Sequence, residues 1–105
     1  MPVTSHVMND GQEIRIAISG HFEFEIYREF REAYSVGTAT TRYHVDLSRV
    51  DYLDSSALGM LLLMRDHAGG DKADITLSGL AGQVSKVLDI AGFERLFTLR
   101  KSTAA

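Results

Sequence analysis

The hydrophobic pattern of this 105-residue chain changes repeatedly between the period of a strand and the period of a helix. Three isoleucines alternate with other residues over 13–19, which predicts a half-buried strand that ends at Gly20. Aromatic residues then recur three and four positions apart, which predicts an amphipathic helix over 22–34. A chain with both periods in alternation is expected to fold as a sheet covered by helices.

The same two periods place the other elements. A turn at 9–11 joins the strand at 13–19 to a short first strand, and together they form a hairpin. The order that results is β-β-α-β-α-β-α-β, which predicts a single α/β domain over 1–100, with a mixed sheet of about five strands, and a flexible tail over 101–105. The remaining strands are predicted at 5–8, 43–47, 74–78 and 96–99, and the remaining helices at 57–67 and at 83–91, where Gly92 follows the helix end.

Composition excludes several classes of function. The net charge is −3 and no basic cluster is present, so we expect no nucleic-acid partner. There is no cysteine, and no two histidines have the spacing of metal ligands, so we expect neither a metal nor a cofactor. The histidines fall in four different predicted elements, at His6, His21, His44 and His67.

The chain also lacks the sequence features of a membrane or exported protein. Its longest apolar run, 58–64, is far shorter than the ~20 residues that a membrane span requires. The first residues show no basic stretch followed by an apolar segment, as a signal peptide would. We therefore expect a cytoplasmic protein without direct membrane contact.

One polar segment stands where chemistry is expected. Asp54, Ser55 and Ser56 end a predicted polar loop at 48–56, which lies between the strand at 43–47 and the very apolar helix at 57–67. A serine at a helix N-terminus can cap exposed backbone N–H groups, and a hydroxyl there can also carry a phosphate, which the helix dipole favours. From these residues alone, a serine cap and a phosphate acceptor are both open.

A longer motif includes these three residues. The run Asp-Leu-Ser-Arg-Val-Asp-Tyr-Leu-Asp-Ser-Ser-Ala-Leu over 46–58 resembles the STAS domain signature of anti-sigma factor antagonists, D-L-S-x-V-x-[FY]-[ILM]-D-S-[ST]-G-L. The later segments 75–78 and 84–93 resemble the strand and closing helix of the same family. The resemblance extends over about 13–99, and the predicted order of elements agrees with the STAS fold.

The resemblance implies a switch protein rather than an enzyme. In that family the unphosphorylated protein binds an anti-sigma factor, or a serine kinase, and so releases a sigma factor. Phosphorylation of the serine after the motif aspartate abolishes binding, and a serine phosphatase restores it. Here that serine is Ser55.

The resemblance also implies a partner-binding face around the phosphorylated serine. We expect Leu58, Leu61 and Leu62 to belong to the core rather than to this face. The chain departs from the family pattern at Ala57, where glycine is usual, and at 21–24, so the partner-facing turn is specialised. The expected partner-binding residues are Asp51, Asp54, Ser55, Ser56, His21 and Glu23.

Two alternatives remain open. A STAS subunit of a membrane transport complex would use Ser55 only as a cap or packing residue. A small enzyme with Ser55 as nucleophile would need a histidine base that lies far away in the sequence. Paired carboxylates in the loops, such as Asp51 and Asp54, are expected to be solvated rather than catalytic.

Overall fold

The computed structural model describes residues 2–102, which form one sheet and three α-helices. Short 3-10 turns occur at Asn9–Gly11, Phe24–Ile26, Gly70–Lys72 and Phe93–Arg95. The main elements are β1 (Val3–Met8), β2 (Glu13–Phe22), α1 (Tyr27–Ser35), β3 (Arg42–Leu53), α2 (Ser55–His67), β4 (Asp74–Leu80), α3 (Gly82–Ile90) and β5 (Thr98–Lys101).

The strands lie side by side in the order of the sequence. β1 pairs antiparallel with β2, and β2 to β5 pair in parallel. Each parallel pair is joined by a crossover that contains one helix, and crossovers of this kind are almost always right-handed, so the helices lie on one face. The predicted fold class, a five-stranded mixed sheet with interleaved helices, is confirmed.

Strand register puts the apolar side chains on the helix-covered face. Ile16 of β2, Val45 of β3 and Leu77 of β4 are neighbours across the sheet and are fully buried. The alternate positions, such as His44 and Asp46, point to the open face and are only partly buried. One face therefore forms the core and the other contacts solvent.

Two strands extend further than the sequence predicts. β2 continues through Gly20, whose φ is +81°, to Phe22, and β3 continues past Leu47 to Leu53. Residues 49–53 of β3 pair with β2, with irregular register at two places. The prediction of a polar loop was wrong because backbone pairing between strands satisfies N–H and C=O groups whatever the polarity of the side chains. The helix predicted from Phe22 begins only at Tyr27.

The buried stripe of α2 includes Leu61, as predicted, but not Leu62. Ala57, Met60, Leu61 and Met64 are buried, whereas the side chain of Leu62 is 42% exposed. Leu58 is partly buried against the core. The assignment of Leu62 to the core was wrong because residues 57–64 of this helix contain no polar side chain, so that periodicity alone does not select its inner face.

The C-terminal part follows the prediction with small shifts. Gly92 adopts the left-handed conformation directly after α3, as expected for a helix end. β5 begins at Thr98, and Lys101, which was assigned to a flexible tail, closes this strand and bonds to Asp89 and Ser85. Residues 103–105 of the predicted tail lie outside the described residues.

Gly79 has no room for a side chain. It has φ +71° within β4, and a Cβ there would lie 2.5 Å from Cβ of Ser48 and 2.8 Å from the backbone N of Ser48. Any side chain would therefore force β3 and β4 apart next to the stretch that leads to Asp54. Gly70 has a similar φ, +61°, but open space around it.

We expect Gly79→Ala to lower the free energy of unfolding by about 3 kcal/mol and Gly70→Ala by about 1 kcal/mol, because only the first adds a clash to the strain of a left-handed alanine. Urea unfolding followed by circular dichroism measures both. Equal losses in the two variants would show that the contact with Ser48 has no energetic weight.

Candidate functional site

The candidate site lies where β2 and β3 end and α2 begins. Phe22 is the register partner of Leu53, and the N–H of Asp54 donates to the Phe22 carbonyl at 3.4 Å. Glu23 leaves the sheet directly after Phe22, and Ser55 opens α2 directly after Asp54. The extended β2–β3 pairing thus brings two segments far apart in sequence to the same edge.

Asp54 caps α2. It has extended backbone, and its Oδ1 accepts the Ala57 N–H at 3.2 Å and the hydroxyl of Ser56. Neither Ser55 nor Ser56, the two candidates for the cap in the sequence, provides it, because Asp54 is the last residue before helical backbone and carries a side chain of capping length. The Ser56 hydroxyl bond and, after it, the Ala57 N–H hold the pKa of Asp54 below its ordinary value, despite some desolvation.

The two serines differ in what their hydroxyls do. The Ser56 hydroxyl is engaged by Asp54, and the residue is partly buried. Ser55 is exposed, and its hydroxyl makes no hydrogen bond with any of residues 2–102. Ser55 therefore presents a free hydroxyl at the N-terminus of a 13-residue helix.

The predicted partner-binding residues of the two strands lie beside this serine. Nε2 of His21 is 3.6 Å from Oδ1 of Asp51, and its ring meets the edge of Tyr52 with 5.6 Å between centroids. Glu23 precedes a turn whose first residue, Phe24, is 66% exposed. The structure therefore places all six predicted residues at one edge of the sheet, and the same edge exposes two aromatic rings.

Gln83 is a residue of this region that the sequence does not indicate. Its side-chain Nε2 donates to the Leu53 carbonyl at 2.8 Å, and its Oε1 accepts the Leu53 N–H at 3.1 Å. The side-chain amide of Gln83 thus makes the two hydrogen bonds to Leu53 that a neighbouring strand would otherwise make. A lone glutamine in the first turn of a helix carries no sequence signal for this contact.

The described part of the chain offers no metal cluster and no membrane helix. Within residues 2–102, no group of three or more His, Asp and Glu side chains is placed to hold a metal ion. No helix in the same range combines the length and the apolar character of a membrane span.

Comparison with known proteins gives a family and one close relative. The family model described as "Mlab, STAS domain" matches residues 5–100. A STAS-domain containing protein of Pseudomonas aeruginosa (strain UCBPP-PA14) is 50% identical over 100 residues, which is 94% of this chain and 99% of that protein.

Solved structures agree with the fold. The anti-sigma factor antagonist SpoIIAA in its unphosphorylated form has a TM-score of 0.67 at 16% identity, over 98% of this chain and 89% of that one. An anti-sigma factor antagonist from Mycobacterium paratuberculosis gives 0.74 at 18%, over 93% and 85%. A sulfate transporter family protein from Wolinella succinogenes gives 0.66 at 22%, over 88% and 80%. At such identities these likenesses show the fold alone.

We expect Asp54→Ala to lower the free energy of unfolding by about 1 kcal/mol near neutral pH, the usual effect of losing a helix cap. Because the folded pKa of Asp54 is lowered, the ionised carboxylate adds stability above the unfolded-state pKa of about 3.9, and this part is lost as pH falls through the folded pKa. Urea unfolding at a series of pH values measures the difference.

Asp54→Asn is the matched control, because it keeps an acceptor oxygen for the Ala57 N–H but does not titrate. The difference in the free energy of unfolding between the wild type and this variant should disappear in acid. A gap that stays constant with pH would contradict the ionic part of the cap.

We expect Gln83→Ala to lower the free energy of unfolding by about 2 kcal/mol. The reason is that the N–H and carbonyl of Leu53, a buried residue, lose their hydrogen-bond partners. Gln83→Glu should also destabilise, since a carboxylate cannot donate to the Leu53 carbonyl. Hydrogen exchange at the Leu53 amide reports the contact directly, and unchanged protection in both variants would contradict it.

Proposed function

The chain belongs to the STAS domain family, and from that premise we propose that it is an anti-sigma factor antagonist that switches partners through phosphorylation of Ser55. In its unphosphorylated form it would bind an anti-sigma factor or a serine kinase and so release a sigma factor. Phosphorylation would end this binding. The free hydroxyl of Ser55 at the start of α2 is the observation that carries the proposal.

Ser55 is the better phosphate acceptor of the two serines. A kinase needs a hydroxyl that it can reach and align, and the Ser55 hydroxyl is exposed without a partner among residues 2–102. To react, Ser56 would first have to leave the Asp54 carboxylate, which would also weaken the cap. We therefore place the modification on Ser55 and a structural role on Ser56.

The fold accepts a phosphate at this position. Phosphoserine adds about −1.5 to −2 charges at neutral pH, and the positive end of a helix dipole favours negative charge in its first turn. Ser55 occupies that turn, and its exposure leaves room for the added group. The modification would therefore change the surface without unfolding the domain.

The same charge would oppose a bound partner. Asp51 is exposed, and Asp54 is held ionised by its lowered pKa, so the face is already acidic beside the exposed ring of Tyr52. A partner that covers this face must desolvate the added phosphate. A loss of about 3 kcal/mol would reduce affinity more than a hundredfold, which is sufficient for a switch.

His21 and Glu23 would set the choice of partner. Both lie at the end of β2, and the His21 ring lies 3.6 Å from the Asp51 carboxylate on the surface that a partner would meet. We propose that the complete face consists of these residues with Asp51, Asp54, Ser55 and Ser56. A serine phosphatase that acts on phosphorylated Ser55 would reset the switch, and we place the cycle in the cytoplasm.

The alternative, a STAS subunit of a membrane transport complex, is favoured by the likeness to a sulfate transporter family protein. In that case Ser55 would act as a cap or packing residue. Asp54 provides the cap, and the Ser55 hydroxyl is exposed and has no hydrogen-bond partner among residues 2–102. The geometry therefore supports the antagonist more than the transport subunit.

A serine enzyme has less support. Among residues 2–102, the serine and histidine that share a hydrogen bond are Ser78 and His44, at 2.7 Å on the open face of the sheet. No carboxylate in that range orients the other ring nitrogen of His44, as the third member of a triad would. Neither Ser55 nor Ser56 contacts a histidine there.

We expect mass analysis of the protein purified from its own host to find phosphate on Ser55. A purified anti-sigma factor of that host should bind the wild type and Ser55→Ala alike, and Ser55→Asp at least about a hundredfold more weakly, because the added carboxylate reproduces part of the repulsion. Isothermal titration calorimetry gives the affinities.

Ser55→Asn is the matched control, because it has the size of Ser55→Asp without the charge, and it should bind like the wild type. Circular dichroism checks that each variant is folded. An unmodified Ser55, with equal binding by all variants, would refute the switch. Recovery of transport-complex proteins by wild type and Ser55→Asp alike would support the alternative.

A further inference from the structure

β1 is an edge strand without the features that usually protect an edge. Its six residues contain no Asp, Glu, Lys, Arg or Pro, and its pairing with β2 is regular throughout. The opposite edge differs: β5 has four residues, two of them Arg100 and Lys101, and its register with β4 is irregular. Charges, short length and irregularity are the usual protections against strand addition, so one edge is closed to it and the other is open.

The outward backbone groups of β1 follow from its register. The Ser19 N–H donates to the Pro2 carbonyl at 2.9 Å, so Pro2 and Ser19 are a hydrogen-bonded antiparallel pair. Such pairs alternate along the strand, so even-numbered residues of β1 face β2. The N–H and C=O groups of Val3, Ser5 and Val7 therefore point away from the sheet.

An acidic groove runs beside this edge on the helix-covered face. Val3 and Ser5 of β1 and Glu29, Glu32 and Ala33 of α1 line a groove of about 240 Å³. Oε2 of Glu29 is shielded from solvent and has no hydrogen-bond partner among residues 2–102. No salt bridge in that range involves either glutamate. Buried carboxylate oxygens are normally paired, so the groove lacks a cationic partner.

We propose that β1 and this groove bind an extended segment of a partner protein, which adds as a sixth strand and inserts a lysine or arginine between β1 and α1. The backbone of the segment would bond to Val3, Ser5 and Val7, as in other cases of strand addition. Its basic side chain would pair with Glu29 and Glu32, while the aliphatic part covers Val3 and Ala33.

A second copy of this chain fits less well. Two β1 strands paired about Ser5 would bring the acidic grooves of both copies together without adding a positive charge. The groove also lies apart from the phosphorylated serine, because β2 separates β1 from the strand that leads to Ser55. The inference is therefore independent of the proposed switch.

The test uses a capped peptide that alternates threonine with lysine, and a control peptide with glutamate in place of lysine. Addition of the lysine peptide to the whole protein should slow hydrogen exchange at the amides of Val3, Ser5 and Val7 and shift their NMR signals. The glutamate peptide should do neither. Ser55→Asp should bind the lysine peptide as the wild type does, whether or not the switch exists.

Two variants test the two halves of the surface. Glu29→Gln with Glu32→Gln should weaken binding about tenfold by removing the charge-assisted contacts. Ser5→Pro removes an outward N–H but no bond to β2, so it should weaken binding while circular dichroism shows a folded protein. The double variant Glu29→Gln with Glu32→Gln keeps the test valid if Ser5→Pro does not fold.

Three results would overturn the proposal. One is no protection of the three amides by the lysine peptide, and another is equal binding of both peptides. The third is concentration-dependent protection without any peptide, together with a dimer in sedimentation, which would make a second copy the occupant.

Discussion

The pairing of β2 with β3 is the constraint on which the rest of the structure depends. It extends past the apolar part of both strands to Phe22 and Leu53, and so it delivers the turn after β2 and the start of α2 to the same edge. Gln83 holds the last residue of β3 from the other side, through two hydrogen bonds that replace a strand partner. Asp54 therefore enters α2 from a fixed position, and the direction of the helix follows from it.

The three polar residues at the start of α2 have different roles. Asp54 satisfies a backbone N–H and the Ser56 hydroxyl, and these bonds in turn stabilise its negative charge. The hydroxyl of Ser55 is left without a partner among residues 2–102 at the positive end of the helix. In the proposed switch, a new charge at that point acts on the surface while the cap keeps the helix in place.

The two edge strands of the sheet, β1 and β5, differ in charge and in the regularity of their pairing. β5 ends with Arg100 and Lys101, and Lys101 is anchored to Asp89, whereas β1 has no Lys, Arg, Asp or Glu and is regularly paired. The proposed strand-binding edge and the proposed phosphorylation site are separated by β2, so the domain can present two surfaces of different character. The surface around Ser55 is acidic and exposes two aromatic rings. The surface along β1 combines outward-pointing backbone groups with two glutamates.

The sequence by itself determined the fold class, the order of the elements, and the position of Asp54, Ser55 and Ser56 at the start of a helix. These features depend on local periodicity and on a motif, and both can be seen in a single chain. Tertiary structure decided the ends of β2 and β3, the outer position of Leu62, the capping role of Asp54 and the contact of Gln83. Each of these depends on which backbone or side chain lies opposite in space, and residues distant in the chain determine that.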